Sequence, residues 1–327
     1  VTAGPVAAKR AAGATISLVL TTVAVTGSLA PHRADGPRQA PPIVVATGSP
    51  LGVYYQYGEE LAGLVAAELG PARVTATAGS VENLRMIEDG TATFAFTTAD
   101  AAVDAYLGRG PFSDPVPMRA VARLYDNYLH LVVPADSPAS SLAQLHGLRV
   151  AVGPDGSGTA LLAGRILAAA GLDQRTDLVS LPLSLDDAVL ALTQRRIDAF
   201  FWSGGLPTSG ITTLARKLPI RLIDLGEFAG QMRERYGSAY RVGRFPTGAY
   251  AGITVAVNTV AAPNYLVTSA GAPDRVVHQV AALLFAGAPA FSKRVPQAGR
   301  LNRGTAIFTT PIPLHPGALR YYQSNTG

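Results

Sequence analysis

The sequence contains no cysteine, which removes disulfide frameworks, thiolate metal sites, thiol nucleophiles and cysteine-borne lipid anchors. Charge is sparse: 15% of the 327 residues are Asp, Glu, Lys or Arg, against roughly 25% in an average soluble chain. With 48% apolar residues beside it, that content excludes intrinsic disorder and a charge-laced coiled coil. Basic residues exceed acidic ones by 27 to 22, but they are mostly Arg and scattered singly, so no nucleic-acid groove is expected. What is present is a long chain rich in small residues. At about 150 residues per domain its length suggests two domains, enough to bury cores without disulfides or metals.

Lys9 and Arg10 precede an uncharged run over 11–31, with an apolar centre over 16–25 and the small-residue triplet Ser28, Leu29 and Ala30. Residues 1–30 therefore read as a secretory signal peptide cut after Ala30 or, uncleaved, as a membrane anchor. Either outcome places the folded part outside the cytoplasm, in a periplasm or at the cell surface. Four prolines and Gly36 mark residues 31–42 as a linker.

From Ile43 onward short β-branched or aromatic runs alternate with helical periods, the pattern of an α/β protein with largely parallel sheets. Strands are expected over 43–47, 73–77, 93–97, 149–152, 198–202, 221–225 and 253–257, and helices over 54–69, 81–88, 101–107, 159–170 and 186–195. In the first helix Tyr57, Leu61, Leu64, Val65 and Leu69 share one face. The uninterrupted segment 118–134 is extended in character and is expected to be a crossing strand pair, hence a hinge.

Three strand-to-helix turns stand out: Thr47 to Gly52, Gly79 to Asn83, and Gly153 to Thr159. In the second, Ser80 is placed as a helix cap with Asn83 at the third helical position. Helix amino termini present free N–H groups and a partial positive charge, and glycine lets a ligand approach the backbone. Ordinary capping asks for the same residues one turn at a time. Three turns from two separate α/β units can instead meet at a cleft beyond the carboxyl ends of the strands, which is where open α/β folds bind ligands.

Enzymatic chemistry has no evident home. Gly153 to Thr159 has near phosphate-loop spacing but lacks its Lys, and Gly48 and Gly52 do not make a dinucleotide fingerprint. No Ser sits in a Gly-x-Ser-x-Gly elbow, and His32, His130, His146, His278 and His315 are isolated from one another and from acidic pairs. Asp186 and Asp187, at an expected helix start, suit capping better than paired-carboxylate catalysis. Neither a metal nor a cofactor is expected.

These residues give the chain a resemblance to the TAXI-type solute-binding proteins of TRAP transporters. It runs through Val45 to Tyr55, Gly79 to Leu84, Val152 to Thr159, Asp198 to Pro207, Pro246 to Gly252 and Pro311 to Tyr322. The resemblance implies a type II periplasmic-binding-protein fold: two α/β lobes around a hinge and a ligand cleft. Lobe I would be 43–132 plus 254–327, and lobe II 133–253. Thr47, Gly48, Ser49, Gly52 and Tyr54 match the first family motif, Ser80 and Asn83 the second, and Ser157, Gly158 and Thr159 the turn of lobe II. Phe201, Gly204, Gly205, Pro207 and Tyr250 lie on motifs that would face the cleft. Two departures, Ser49-Pro50 for a further glycine and Trp202-Ser203 for smaller or more aliphatic residues, would stiffen the first turn and set the lone tryptophan against the ligand.

Helix termini and hydroxyls favour a carboxylate, and the resemblance implies a small acid, an amino acid such as glutamate or a dicarboxylate. Thr98 and Asp100 follow the third strand; Asp100 is placed either to accept an ammonium group or to cap the next helix. The expected function is capture by hinge closure and delivery to TRAP membrane permease subunits by a monomeric binding protein. The alternatives are a membrane-anchored ligand sensor for a signalling partner and, behind it, an enzyme on a binding-protein scaffold.

Overall fold

The computed structural model describes residue 1 and residues 41–325, so the signal or anchor over 1–30 and nearly all of the linker lie outside the described residues. Strands and helices then alternate as β1 (Ile43–Ala46), α1 (Val53–Glu68), β2 (Ala72–Thr75), α2 (Ser80–Glu88), β3 (Phe94–Thr98), α3 (Ala99–Leu107) and β4 (Met118–Pro134). Next come β5 (Arg149–Ala151), α4 (Gly158–Ala169), β6 (Val179–Leu181), α5 (Leu185–Thr193), β7 (Ala199–Gly204), α6 (Ser209–Lys217) and β8 (Ile220–Leu222). The chain closes with α7 (Phe228–Tyr236), β9 (Arg241–Phe245), β10 (Val257–Ser269), α8 (Asp274–Phe291), α9 (Arg303–Ala306) and α10 (Pro316–Ser324).

The described strands form one sheet in the order β2-β1-β3-β10-β4-β7-β5-β6, with β8 beside β4 and β9 beside β10. Each end is a parallel three-stranded unit, β2-β1-β3 and β7-β5-β6. The middle is antiparallel, where β10 pairs with β3 and β4, and β4 with β7. Helices cover both faces of both ends. Tyr57, Leu61 and Val65 of α1, Leu284 of α8 and Tyr322 of α10 pack with Phe96 on one face of the first unit. Leu84 of α2 and Ala102 of α3 pack with Ala95 on the other. In the second unit, Leu162 and Ile166 of α4 and Met232 of α7 meet Val150 and Phe201, whereas Leu192 of α5 and Leu214 of α6 meet Ala151 and Phe200. Neighbours Phe200 and Phe201 thus enter opposite cores, as the two-residue period of a strand requires.

Two expectations need correction. Segment 118–134 is a single 17-residue strand rather than a pair of strands. Its first part pairs with β10 and its last part with β7 and β8. The strand expected over 253–257 begins only at Val257 and runs to Ser269. Ile253 instead closes a turn, with Gly248 N–H donating to its carbonyl at 2.8 Å. Pro263 and Asn264 interrupt the β-type pattern, and the register shifts between Pro263 and Tyr265. Among the described residues no helix is long and apolar enough to cross a membrane.

Candidate functional site

The amino termini of α1, α2 and α4 meet at one cavity between the two parallel units. Its walls include Gly48, Ser49, Gly52, Val53 and Tyr54 from the first turn, Ala78, Gly79 and Ser80 from the second, and Ser157, Gly158 and Thr159 from the third. Thr98, Tyr125, Asn127, Trp202, Ser203, Gly204 and Gly205 complete it. No lining residue carries a formal charge. Around 30 Å³ is open to the centre of a water molecule, room for about two waters.

Local sequence explains how the turns hold their places. Gly79 precedes α2 at φ +131°, a conformation that glycine adopts at little cost. Ser80 is consequently the first helical residue rather than the cap, and Asn83 the fourth rather than the third. Ser80 Oγ is free of capping and accepts the Thr98 N–H at 3.1 Å. Ser157 does cap α4, its Oγ accepting from Ala160 N–H at 2.9 Å. Thr98 occupies the cap position before α3, so Asp100 is the second helical residue and not the cap.

The floor is built on the two long strands. Tyr54 hydroxyl donates to Asn264 Oδ1. Asn264 Nδ2 donates to Asn127 Oδ1 at 2.7 Å, and Asn127 Nδ2 reaches Ser203 Oγ at 3.5 Å. Ser203 N–H donates to Thr159 Oγ1 at 3.0 Å. This chain of amides and hydroxyls ties α1, through β10, β4 and β7, to α4.

Contacts on either side of the cavity join the two units. Ser49 Oγ donates to Asp186 Oδ2, Gln56 Nε2 donates to Ser209 Oγ at 2.9 Å, and Glu82 N–H donates to the Gly156 carbonyl at 2.9 Å. On the α3–α4 side Arg165 pairs with Asp104 and, at 3.5 Å, with Asp100. Tyr240 hydroxyl donates to Asp100 Oδ2 at 2.7 Å, and the Arg165 guanidinium lies 4.7 Å over the Tyr236 ring.

Six expected site residues fall outside the lining, each for a physical reason. Thr47 Oγ1 donates to the Thr75 carbonyl at 2.7 Å. Asn83 Nδ2 donates to the Thr47 and Phe96 carbonyls at 2.6 and 2.8 Å, so it holds the first turn rather than a ligand. Asp100 is committed to Arg165 and Tyr240. Strand alternation turns Phe201 into the core and leaves Trp202 at the cavity. Pro207 contributes its carbonyl to Gln297 Nε2 at 2.7 Å. Tyr250 stands behind the wall against His130. Residues that line the cavity without having been expected there include Tyr125 and Asn127; their position at the middle of a long crossing strand was the available signal. Among the described residues no three His, Asp or Glu side chains are placed to hold a metal.

His130 is fully buried, and both the Tyr128 and Trp202 carbonyls face its Nδ1, at 2.9 and 3.1 Å. Nδ1 therefore carries the hydrogen, and Nε2 accepts from the Tyr250 hydroxyl at 2.8 Å, which in turn accepts from Thr208 N–H at 3.1 Å. Burial pushes the imidazole down to about 4, against the backbone hydrogen bonds that pull it up. Between pH 4 and 6.5 the unfolded chain binds the proton and the folded chain does not. Stability from the neutral ring is complete above pH 6.5 and falls as pH drops toward 4, by about 3 kcal/mol. His315, also lowered by burial, adds in the same direction. Urea unfolding at pH 7 and pH 4.5 is expected to show the loss, and His130→Gln to remove the larger part of it; an unchanged pH slope in that variant would rule the account out.

A family model described as the NMT1-like family matches residues 45–325. Among solved structures, a Bordetella bronchiseptica RB50 protein is similar at 17% identity over 86% of this chain and 88% of that one, with a TM-score of 0.51. A Xanthomonas citri protein solved bound to ATP is similar at 14% identity over 87% and 95%, TM-score 0.50. The periplasmic aliphatic sulphonate binding protein SsuA from Escherichia coli follows at 16% over 87% and 84%, TM-score 0.47. At such identities the likeness concerns the fold alone, a mixed α/β fold with a central sheet covered by helices.

Proposed function

The chain belongs to the NMT1-like family, and from that premise we propose that it is an extracytoplasmic solute-binding protein that captures a small carboxylate in this cleft. What carries the reading is the convergence of three helix amino termini, from both ends of one sheet, on a cavity lined by hydroxyls and without a charged side chain. Such termini attract an anion, and exclusion of water strengthens the hydrogen bonds they make. With room for about two waters, the cavity would widen as the two units part to admit a ligand. Lobe I, 43–132 plus 254–327, and lobe II, 133–253, would move about β4 and β10, and closure needs only tighter binding to the closed state. Of the lining serines Ser49 meets a carboxylate, that of Asp186 outside the lining, and none meets a His or Lys, which favours binding over turnover.

The recipient in this reading is the membrane permease of a TRAP-type transporter, served by a monomer. The test is thermal unfolding with a panel of monocarboxylates, dicarboxylates, amino acids and methanesulfonate. A ligand at 100 times its Kd should add about 2.7 kcal/mol. If no anion shifts the transition or gives binding heat, and mass spectrometry of the denatured protein releases none, the reading is wrong.

A further inference from the structure

We propose that Tyr125 reads a second, uncharged polar group on the ligand, and that the cleft selects small monoanions carrying a hydrogen-bond acceptor over dicarboxylates and amino acids. The inference rests on the binding reading above and narrows it.

The first observation is an orphan donor. Tyr125 lines the cavity, is 5% exposed, and its hydroxyl is buried without a hydrogen-bond partner. Burial, reinforced by Tyr54 and Tyr57, raises its pKa well above the ordinary value, so it stays a neutral phenol able to donate. The Tyr57 hydroxyl is also without a partner, but Tyr57, whose ring stacks on that of Tyr125 at 6.3 Å, does not itself line the cavity. Gly205 packs directly on the Tyr125 ring, where a Cβ would lie 2.9 Å from Cε2, so the ring is held in place at the cavity wall. Leaving a buried hydroxyl unpaired is unfavourable, and a ligand oxygen would satisfy it.

The second observation concerns charge. Helix termini carry about half a charge each and can meet one carboxylate. A second carboxylate would be buried without a cation, since no Arg, Lys or His lines the cavity. An ammonium group would find no carboxylate there either. Asp100 already has Arg165 as its counter-charge, and its unpartnered Oδ1 is outside the lining. A hydroxyl, carbonyl or amide oxygen on a monoanion meets what remains: the unpartnered Tyr125 donor of a residue that lines the same cavity.

The experiment uses the protein's sole tryptophan, Trp202, which lines the cavity and reports binding by its fluorescence. Matched probes are lactate against propionate and 3-hydroxybutyrate against butyrate, with succinate and glutamate alongside. In the parent at least one hydroxy acid is expected to bind about tenfold tighter than its deoxy partner, and succinate and glutamate more weakly still. Tyr125→Phe should erase that ratio, leave the deoxy acid within about twofold, and unfold at or above the parent's Tm because an unpaired hydroxyl is gone. A purely structural Tyr125 would instead lower Tm or weaken all probes alike. Equal effects on both members of a pair, or glutamate or succinate binding tightest, would overturn the assignment while leaving the cleft a binding site. Silence from every anion in both fluorescence and Tm would overturn the binding reading itself, and this proposal with it.

Discussion

Gly158→Val is expected to leave a folded protein that no longer captures its ligand. A Cβ at Gly158 would lie 2.7 Å from Ser80 Oγ, 3.2 Å from Ser80 Cβ and 3.4 Å from Thr98 Oγ1, so the amino end of α4 touches α2 and β3 at glycine distance only. Ser80 cannot simply rotate aside, because its Oγ accepts the buried Thr98 N–H at 3.1 Å. Valine adds two further carbons at the same place. Since the clash lies between the two parallel units and not within either, separating them relieves it. The variant should therefore keep its core and lose the closed state, lowering affinity at least 100-fold, about 3 kcal/mol. Calorimetry with the ligand identified for the parent, together with a radius of gyration that no longer responds to it, would show this. Gly164→Ala is the control on the same helix, where the added Cβ meets only Gln174 Oε1 at 3.5 Å. Binding by Gly158→Val within about threefold of the parent would contradict the argument.

Removing the buried cation at the opposite flank should be nearly as severe. Arg165 is the guanidinium between two carboxylates whose side chains are 0% and 2% exposed, those of Asp100 and Asp104. Arg109 also reaches Asp104, at 3.0 Å, but is half exposed, and Asp100 would keep only the Tyr240 hydroxyl. Arg165→Met therefore strands a buried charge, which typically costs about 3–5 kcal/mol. Opening the α3–α4 contact wets both carboxylates, so the cost should appear chiefly as loss of the closed form: weaker ligand binding and a larger unliganded radius. Adding Asp100→Asn removes the stranded charge and should restore at least half of the lost affinity. A single variant that binds and unfolds like the parent would show that the pair contributes nothing.

The walls of the cavity could be read from the chain and its floor could not. Glycine, serine and threonine between an apolar run and a helical period betray a strand-to-helix turn, and Gly48, Ser49, Gly52, Ser80, Ser157, Gly158 and Thr159 all line the cavity. Thr47 and Asn83 belong to the same turns, yet spend their polar atoms on neighbouring carbonyls, and local sequence does not distinguish a ligand donor from a turn fastener. Tyr125, Asn127 and Asn264 look like ordinary alternating strand residues. Only the crossing of β4 with β10, a pairing between segments well over one hundred residues apart, brings them under the turns. Phe201 and Trp202 are both expected at the cleft, but neighbours on a strand point to opposite faces, so only Trp202 can line the cavity while Phe201 enters the core.

The return of the last helices to the first unit also sets the timetable of the molecule's birth. Val45 and Tyr57 share a core with Val280 and Leu284 of α8 and with Tyr321 and Tyr322 of α10. A ribosome adding roughly 5–20 residues per second needs on the order of 15–55 s to get from the first of these to the last. For that interval the apolar faces of β1 and α1 have been made and their partners have not. The first unit thus cannot complete its core until α10 has been made, and until then its apolar faces are open to a holding chaperone or a secretion channel, whereas the unit around α4 and α7 can begin to form sooner.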